Sequence, residues 1–238
     1  MNLNKGLESI VRPLVAETGR EDTPHAVWGS SFLVGLKRRS FLITTRHGLR
    51  PECGLFPLCV RSLTGRLFKL IDVFYMPSED YPEDHFDIAV VELDMRKLRS
   101  DLGRTPILPL DLGEQQWDRF SEVSPFKVLG FPQDHSFVDY DSGEVVEGLV
   151  TLEAEYVGPT TAKWIHQLRV ATPPPLSTFS GFSGGPVFLI AREVGRPPIP
   201  ILAGMALQGT VQSGIVRFVE TARIVDMVRA RTGNTRYQ

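Results

Sequence analysis

The chain has 238 residues, of which 42% are apolar and 23% charged, and its formal net charge is -2. That length buries a sizeable core without covalent staples, as one large domain or as two small lobes. The balanced charge leaves no electrostatic footprint for nucleic acid, and no apolar run is long enough for a membrane-spanning helix.

The first residues lack the uninterrupted apolar core of a signal peptide and carry Glu8, Arg12 and Glu17. Leu3, Leu7, Ile10, Val11 and Leu14 fit a short amphipathic helix, bent or broken near Pro13. Cys53 and Cys59 are the whole thiol inventory and show no zinc spacing. A reduced, cytoplasmic protein is expected. The runs HAVWGSSFLVGL and RSFLITTRHGL, joined at Lys37-Arg38-Arg39, predict a β-hairpin with its basic tip in water. Shorter apolar runs follow in LFPLCVRSL, RLFKLIDVFYM and DIAVVEL. The polar, proline-bearing stretch from residue 96 to 120 reads as a crossover between lobes.

Strand-like runs resume with SPFKVLGFP, EVVEGLVTLEAEYVG, KWIHQLRVAT, GGPVFLIAREV, IPILAGMALQG and SGIVRFV. VGRPPIP reads as a hairpin loop with prolines at its tip. The chain closes on ETARIVDMVRARTG, where Ala222, Ile224, Val225, Met227 and Val228 mark one helical face. Glu220 or Thr221 starts that helix and Gly233 ends it. Many short strands with a terminal helix favour antiparallel barrels or a sandwich over a βαβ fold.

One loop invites chemistry. Gly181-Phe182-Ser183-Gly184-Gly185-Pro186 sets a serine among glycines immediately before an apolar strand. A hydroxyl is a weak nucleophile until a base takes its proton, and the usual base is an imidazole held by a carboxylate. Of the histidines, His47 ends the strand-like run FLITTRH, where a rigid element can aim its ring. Asp87 opens DIAVVEL, a placement suited to partial burial, whereas Asp80, Glu83 and Asp84 just upstream read as solvated. Each feature alone also fits a bland structural role: a strand-end histidine, a turn aspartate, a glycine turn.

Taken together, GSSFLVG…SFLITTRHGL, DIAVVEL, VLGFP, GFSGGPVF and LAGMALQG resemble, in order, the motifs of the trypsin-like serine peptidase family. The resemblance runs from about residue 27 to the C-terminal helix. It implies an all-β protein of two antiparallel six-stranded β-barrels, chymotrypsin-like, with a C-terminal α-helix after the short N-terminal one. Residues 1–112 would hold the N-terminal segment and the first barrel, and residues 113–238 the second barrel. It also implies a His47–Asp87–Ser183 triad and an oxyanion hole from the backbone N–H groups of Gly181 and Ser183. Peptide or protein would be the substrate, with no metal or organic cofactor.

By the same resemblance, Ser177 lies at the base of the primary specificity pocket with Thr178 near it. Leu207, Gln208, Gly209 and Thr210 form its wall, with Gly214 opposite. An uncharged base argues against a Lys or Arg preference, Ala206 argues against a Glu preference, and a small or apolar residue before the cut is expected. The sequence departs from the family at Phe182, where an aspartate is usual, and at Arg46 beside the histidine. Those departures leave three readings: an active intracellular endopeptidase with a preformed or partner-ordered oxyanion hole, a non-cleaving binding or scaffold protein, and a viral-type processing enzyme.

Overall fold

The computed structural model describes residues 3–49, 58–61, 67–69, 73–74, 87–93, 107–110, 117–140, 144–146, 148–172, 175–193 and 195–233. A first lobe is built on one sheet. Its strands are β1 (Val11–Glu17), β2 (His25–Leu36), β3 (Arg39–Thr44), β4 (Leu58–Arg61), β5 (Leu67–Lys69), β6 (Val73–Phe74), β7 (Ala89–Leu93) and β8 (Leu108–Pro109). Their order is β5-β4-β1-β2-β3-β7-β6, with β8 lying parallel to β2 through Val34↔Leu108 and Gly35↔Pro109. The predicted hairpin is β2–β3, turned at Lys37, whose φ of +57° is a left-handed value, and at Arg38.

The second lobe is the closed barrel β12-β13-β16-β15-β14-β9. Its strands are β9 (Phe126–Gly130), β12 (Val150–Pro159), β13 (Ile165–Val170), β14 (Pro186–Ala191), β15 (Ile199–Thr210) and β16 (Ile215–Glu220), and a small hairpin of β10 (Phe137–Asp139) and β11 (Glu144–Val146) stands outside it. The single run predicted from residue 144 to 158 is therefore two strands in different sheets. The all-β architecture holds. The second lobe is a closed six-stranded barrel as expected, and the described residues of the first form one sheet of eight strands. The crossover segment adds β8 to it, because Leu110 N–H and Gly35 O bond at 2.7 Å where the β2 edge is free.

The N-terminal expectation needs a larger correction. The helix covers only Leu3–Glu8, and Val11 and Leu14 belong to β1, which pairs with both β2 and β4. Period-3.6 counting placed five apolar residues on one helical stripe. β1 instead buries both of its faces, so its apolar residues need no helical period. Pro13 lacks a ladder donor yet is tolerated here, because pairing with β4 begins only at Leu14.

One apolar cluster joins the lobes, running from Phe32, Phe41 and Ile43 through Leu129, Phe188 and Met205 to Ile224 and Val228. A second fills the closed barrel around Phe126, Leu168 and Phe218. The C-terminal helix, Thr221–Arg231, buries Ile224, Val225, Met227 and Val228 as its pattern predicts, but Ala222 is exposed. Thr221 donates its hydroxyl to Leu202 O at 2.6 Å and so anchors the helix start to β15. Gly233, with φ +70°, follows the helix end.

Candidate active site

Strand register brings His47 to Asp87. β3 and β7 are antiparallel with Thr44 opposite Ala89, and two residues further Arg46 N–H donates to Asp87 O at 3.2 Å. His47 opens a 3-10 turn immediately after this point. Its backbone N–H donates to Asp87 Oδ1 at 2.8 Å, and its ring Nδ1 pairs with Asp87 Oδ2. Two contacts from one carboxylate fix the turn and orient the imidazole. The histidine side chain is 54% exposed and the aspartate 19%, so the ring stands towards solvent while the carboxylate is shielded. The remaining carboxylates considered, Asp80, Glu83 and Asp84, lie outside the described residues.

Ser183 sits in the turn ahead of β14, and the bare backbone there has a steric reason. A Cβ on Gly184 would lie 2.1 Å from Ser30 O, and one on Gly185 would lie 2.0 Å from Leu129 O. Gly181 has φ +98°, and a Cβ there would meet Phe131 O at 2.2 Å. Peptide planarity then sets where the amides point. Ser180 O accepts from Gln133 N–H at 3.1 Å, which aims the Gly181 N–H the opposite way. Phe182 O accepts from Gly185 N–H at 2.9 Å, which does the same for the Ser183 N–H. Among the described residues neither of these two N–H groups has an acceptor.

Phe182, where an aspartate was the family expectation, is buried at 2% exposure. It meets Phe179 edge-on at 6.0 Å between ring centres, so this loop is anchored by apolar packing. Ser30 on β2 holds it from the other lobe. Its hydroxyl donates to Gly181 O at 2.5 Å and accepts from Phe131 N–H at 2.8 Å, and its backbone N–H donates to Ser183 O at 3.0 Å. Nothing in the isolated GSSF motif points to this role.

The Ser183 hydroxyl donates to Leu207 O at 2.6 Å. That carbonyl is available because the β15–β16 register shifts between Ala206 and Gln208, leaving Leu207 in a bulge. Leu207 and Gln208 line a cleft of about 540 Å³ together with His47, Asp87, Arg46 and Arg217. Gln208, Gly209 and Thr210 line an adjoining groove of about 390 Å³. The structure thus gathers His47, Asp87, Leu207 and Gln208 at one cleft, and Leu207 links it to Ser183. Gly214, φ +64°, closes the turn between β15 and β16 and lines neither space.

Ser177 and Thr178 are not brought to this cleft. Ser177 is exposed and donates from its backbone N–H (2.6 Å) and its hydroxyl (2.8 Å) to Asp134. Those hydrogen bonds, the hydroxyl's first, hold the Asp134 carboxyl below the usual carboxylate range. Thr178 exchanges bonds with Ser180. Ser177 is tied instead to Asp134, a partner distant in sequence.

No family model matches the sequence, and no curated protein matches it either. Solved structures do match. One is a thermostable serine protease, AL20, from an extremophilic microorganism, with a TM-score of 0.60 at 14% identity over 95% of this chain and 99% of that one. The chain has the chymotrypsin-like fold. At that identity the likeness speaks for the fold, and the chemistry has to be argued from this chain's own residues.

Proposed function

We propose that the protein is a serine endopeptidase acting on an intracellular protein substrate. Ser183 is the nucleophile, His47 the general base and then the general acid, and Asp87 the group that fixes the ring tautomer and stabilises the imidazolium. The observation that carries this reading is the His47–Asp87 pair at the cleft wall formed by Leu207, the residue whose carbonyl takes the Ser183 hydroxyl. Attack requires that hydroxyl to leave Leu207 O and turn to the imidazole, a rotation about one side-chain bond. The tetrahedral intermediate's oxygen would take the unengaged N–H groups of Gly181 and Ser183, each such donor being worth about 10²–10³ in rate.

A second reading, a binding protein on the same fold, draws on the same hydroxyl. It rests on a backbone carbonyl, and among the described residues no hydrogen bond joins it to His47. In that reading an activating partner would be needed for turnover. A fluorophosphonate probe separates the two. Labelling of the wild type that is lost in both Ser183→Ala and His47→Ala supports the peptidase. Absence of labelling, with the fold intact by circular dichroism and with cell extract added as a source of partners, supports the binding protein. N-terminal proteomics of cells expressing wild type or Ser183→Ala then reports the sites cut.

A further inference from the structure

Along β16 the residues alternate, with Val216 and Phe218 turned into the barrel and Arg217 exposed on its outer face. Register seats Arg217 between Gln167 on β13 and Gln208 on β15, forming one polar row. This row stands where two concavities meet, because Arg217 and Gln208 line both the cleft holding His47 and the adjoining groove. Among the described residues the Arg217 guanidinium makes no hydrogen bond or ion pair, whereas Arg39, Arg196 and Arg223 are each matched to a carboxylate. The one carboxylate among the described lining residues is Asp87, which His47 already engages.

We infer that Arg217 selects substrates carrying an aspartate or glutamate within a few residues of the cut. The inference rests on the peptidase reading and deepens it. A guanidinium offers donors in a planar fork that suits a carboxylate, and the flanking glutamine amides extend the donor set. The surface position of Arg217 still gives a usable contact, because the bound peptide itself would cover the row and displace water. The small or apolar preference expected from the sequence concerns the residue next to the cut and is independent of this row.

The test is a walking set of octapeptides, each carrying one Glu in an otherwise neutral sequence, with matched Gln counterparts. Fluorophosphonate titration of active centres normalises the rates. At one position the Glu peptide should be cut about tenfold faster in kcat/KM than its Gln partner, the scale of a hydrogen-bonded charge pair. That ratio should collapse towards one in Arg217→Ala, fall below one in Arg217→Glu, and shrink as salt rises. A wild type that labels and cleaves with no Glu preference, or with a preference that survives Arg217→Ala, overturns the inference and leaves the peptidase intact. A wild type that neither labels nor cleaves overturns the peptidase reading, and the inference falls with it. Anisotropy of the fluorescent peptides on Ser183→Ala gives a readout without turnover, with the same Glu-over-Gln ordering expected and its loss in the Ser183→Ala, Arg217→Ala double variant.

Discussion

Replacing Ser30 with alanine removes one oxygen and leaves two buried backbone groups without a partner. The Gly181 carbonyl loses a donor at 2.5 Å, and the Phe131 N–H loses an acceptor at 2.8 Å. Ser30, Gly181 and Phe131 are all buried, so water does not replace the contacts readily. Each orphaned group costs about 1–3 kcal/mol, so the pair costs roughly 2–6 kcal/mol. For a chain of this size that lowers Tm by roughly 4–24 °C. Ser31→Ala is the control. That hydroxyl is equally buried on the same strand, but it donates only to Arg12 O at 3.0 Å, away from the serine loop. Both variants should melt earlier, Ser30→Ala by more. Only Ser30→Ala should slow fluorophosphonate acylation per folded molecule, by about tenfold to a hundredfold, because the Gly181 end of the loop is no longer held. Acylation at the wild-type rate in folded Ser30→Ala would refute the claim that β2 orders the loop.

Phe182→Asp, the residue usual at this place in trypsin-like peptidases, should destabilise by about 3 kcal/mol or more. It exchanges a buried ring against Phe179 for a carboxylate set among the apolar residues of the barrel core, and a urea titration reads the loss. Glu92→Gln should change the pH dependence of stability. The hydrogen bonds from Arg39, with the charges of Arg39 and Arg231, hold the Glu92 carboxyl below its usual range. A depressed carboxylate stabilises the fold above its unfolded pKa of about 4.5, and the effect fades as pH falls through the lower folded value. The wild type should exceed the variant by up to about 1 kcal/mol near pH 7, since both side chains are partly exposed, and the two should converge as the pH falls below the lowered folded value.

How far the sequence reveals these features depends on the range of the contact that makes them. The β2–β3 hairpin, the terminal helix and the barrel strands other than β12 are written in local alternation and turn chemistry, and they formed where the pattern placed them. The juxtaposition of His47 and Asp87 was also legible, since both flank apolar runs that pair in register. β1 was not. Its apolar residues satisfy a helical stripe and a strand equally, and only pairing with β2 and β4 decides between them. The bulge at Leu207 and the tie from Ser177 to Asp134 are tertiary events with no signature in their own segments. Arg217 lay within reach: in IVRFV a lone cation between apolar neighbours must face outward from a strand. What sequence withholds is that this outward face borders His47.

The serine loop is shaped from both lobes, and none of the contacts described for it is an ion pair. Phe182 is packed in the second lobe's core, while Ser30 of the first lobe grips Gly181 O and Ser183 O on either side of that ring. Thr44 completes the clasp by donating to Ser30 O at 2.8 Å, and Thr44 also ends the strand that leads to His47. The segment bearing the imidazole and the segment bearing the hydroxyl thus share one short chain of neutral hydrogen bonds. A loop whose shape depended on a buried charge pair would come and go with the partner charge. One held by a phenyl ring and hydroxyl–carbonyl bonds keeps its geometry whenever the lobes are docked. Its conformation should therefore respond to separation of the two lobes far more than to pH or to ionic strength.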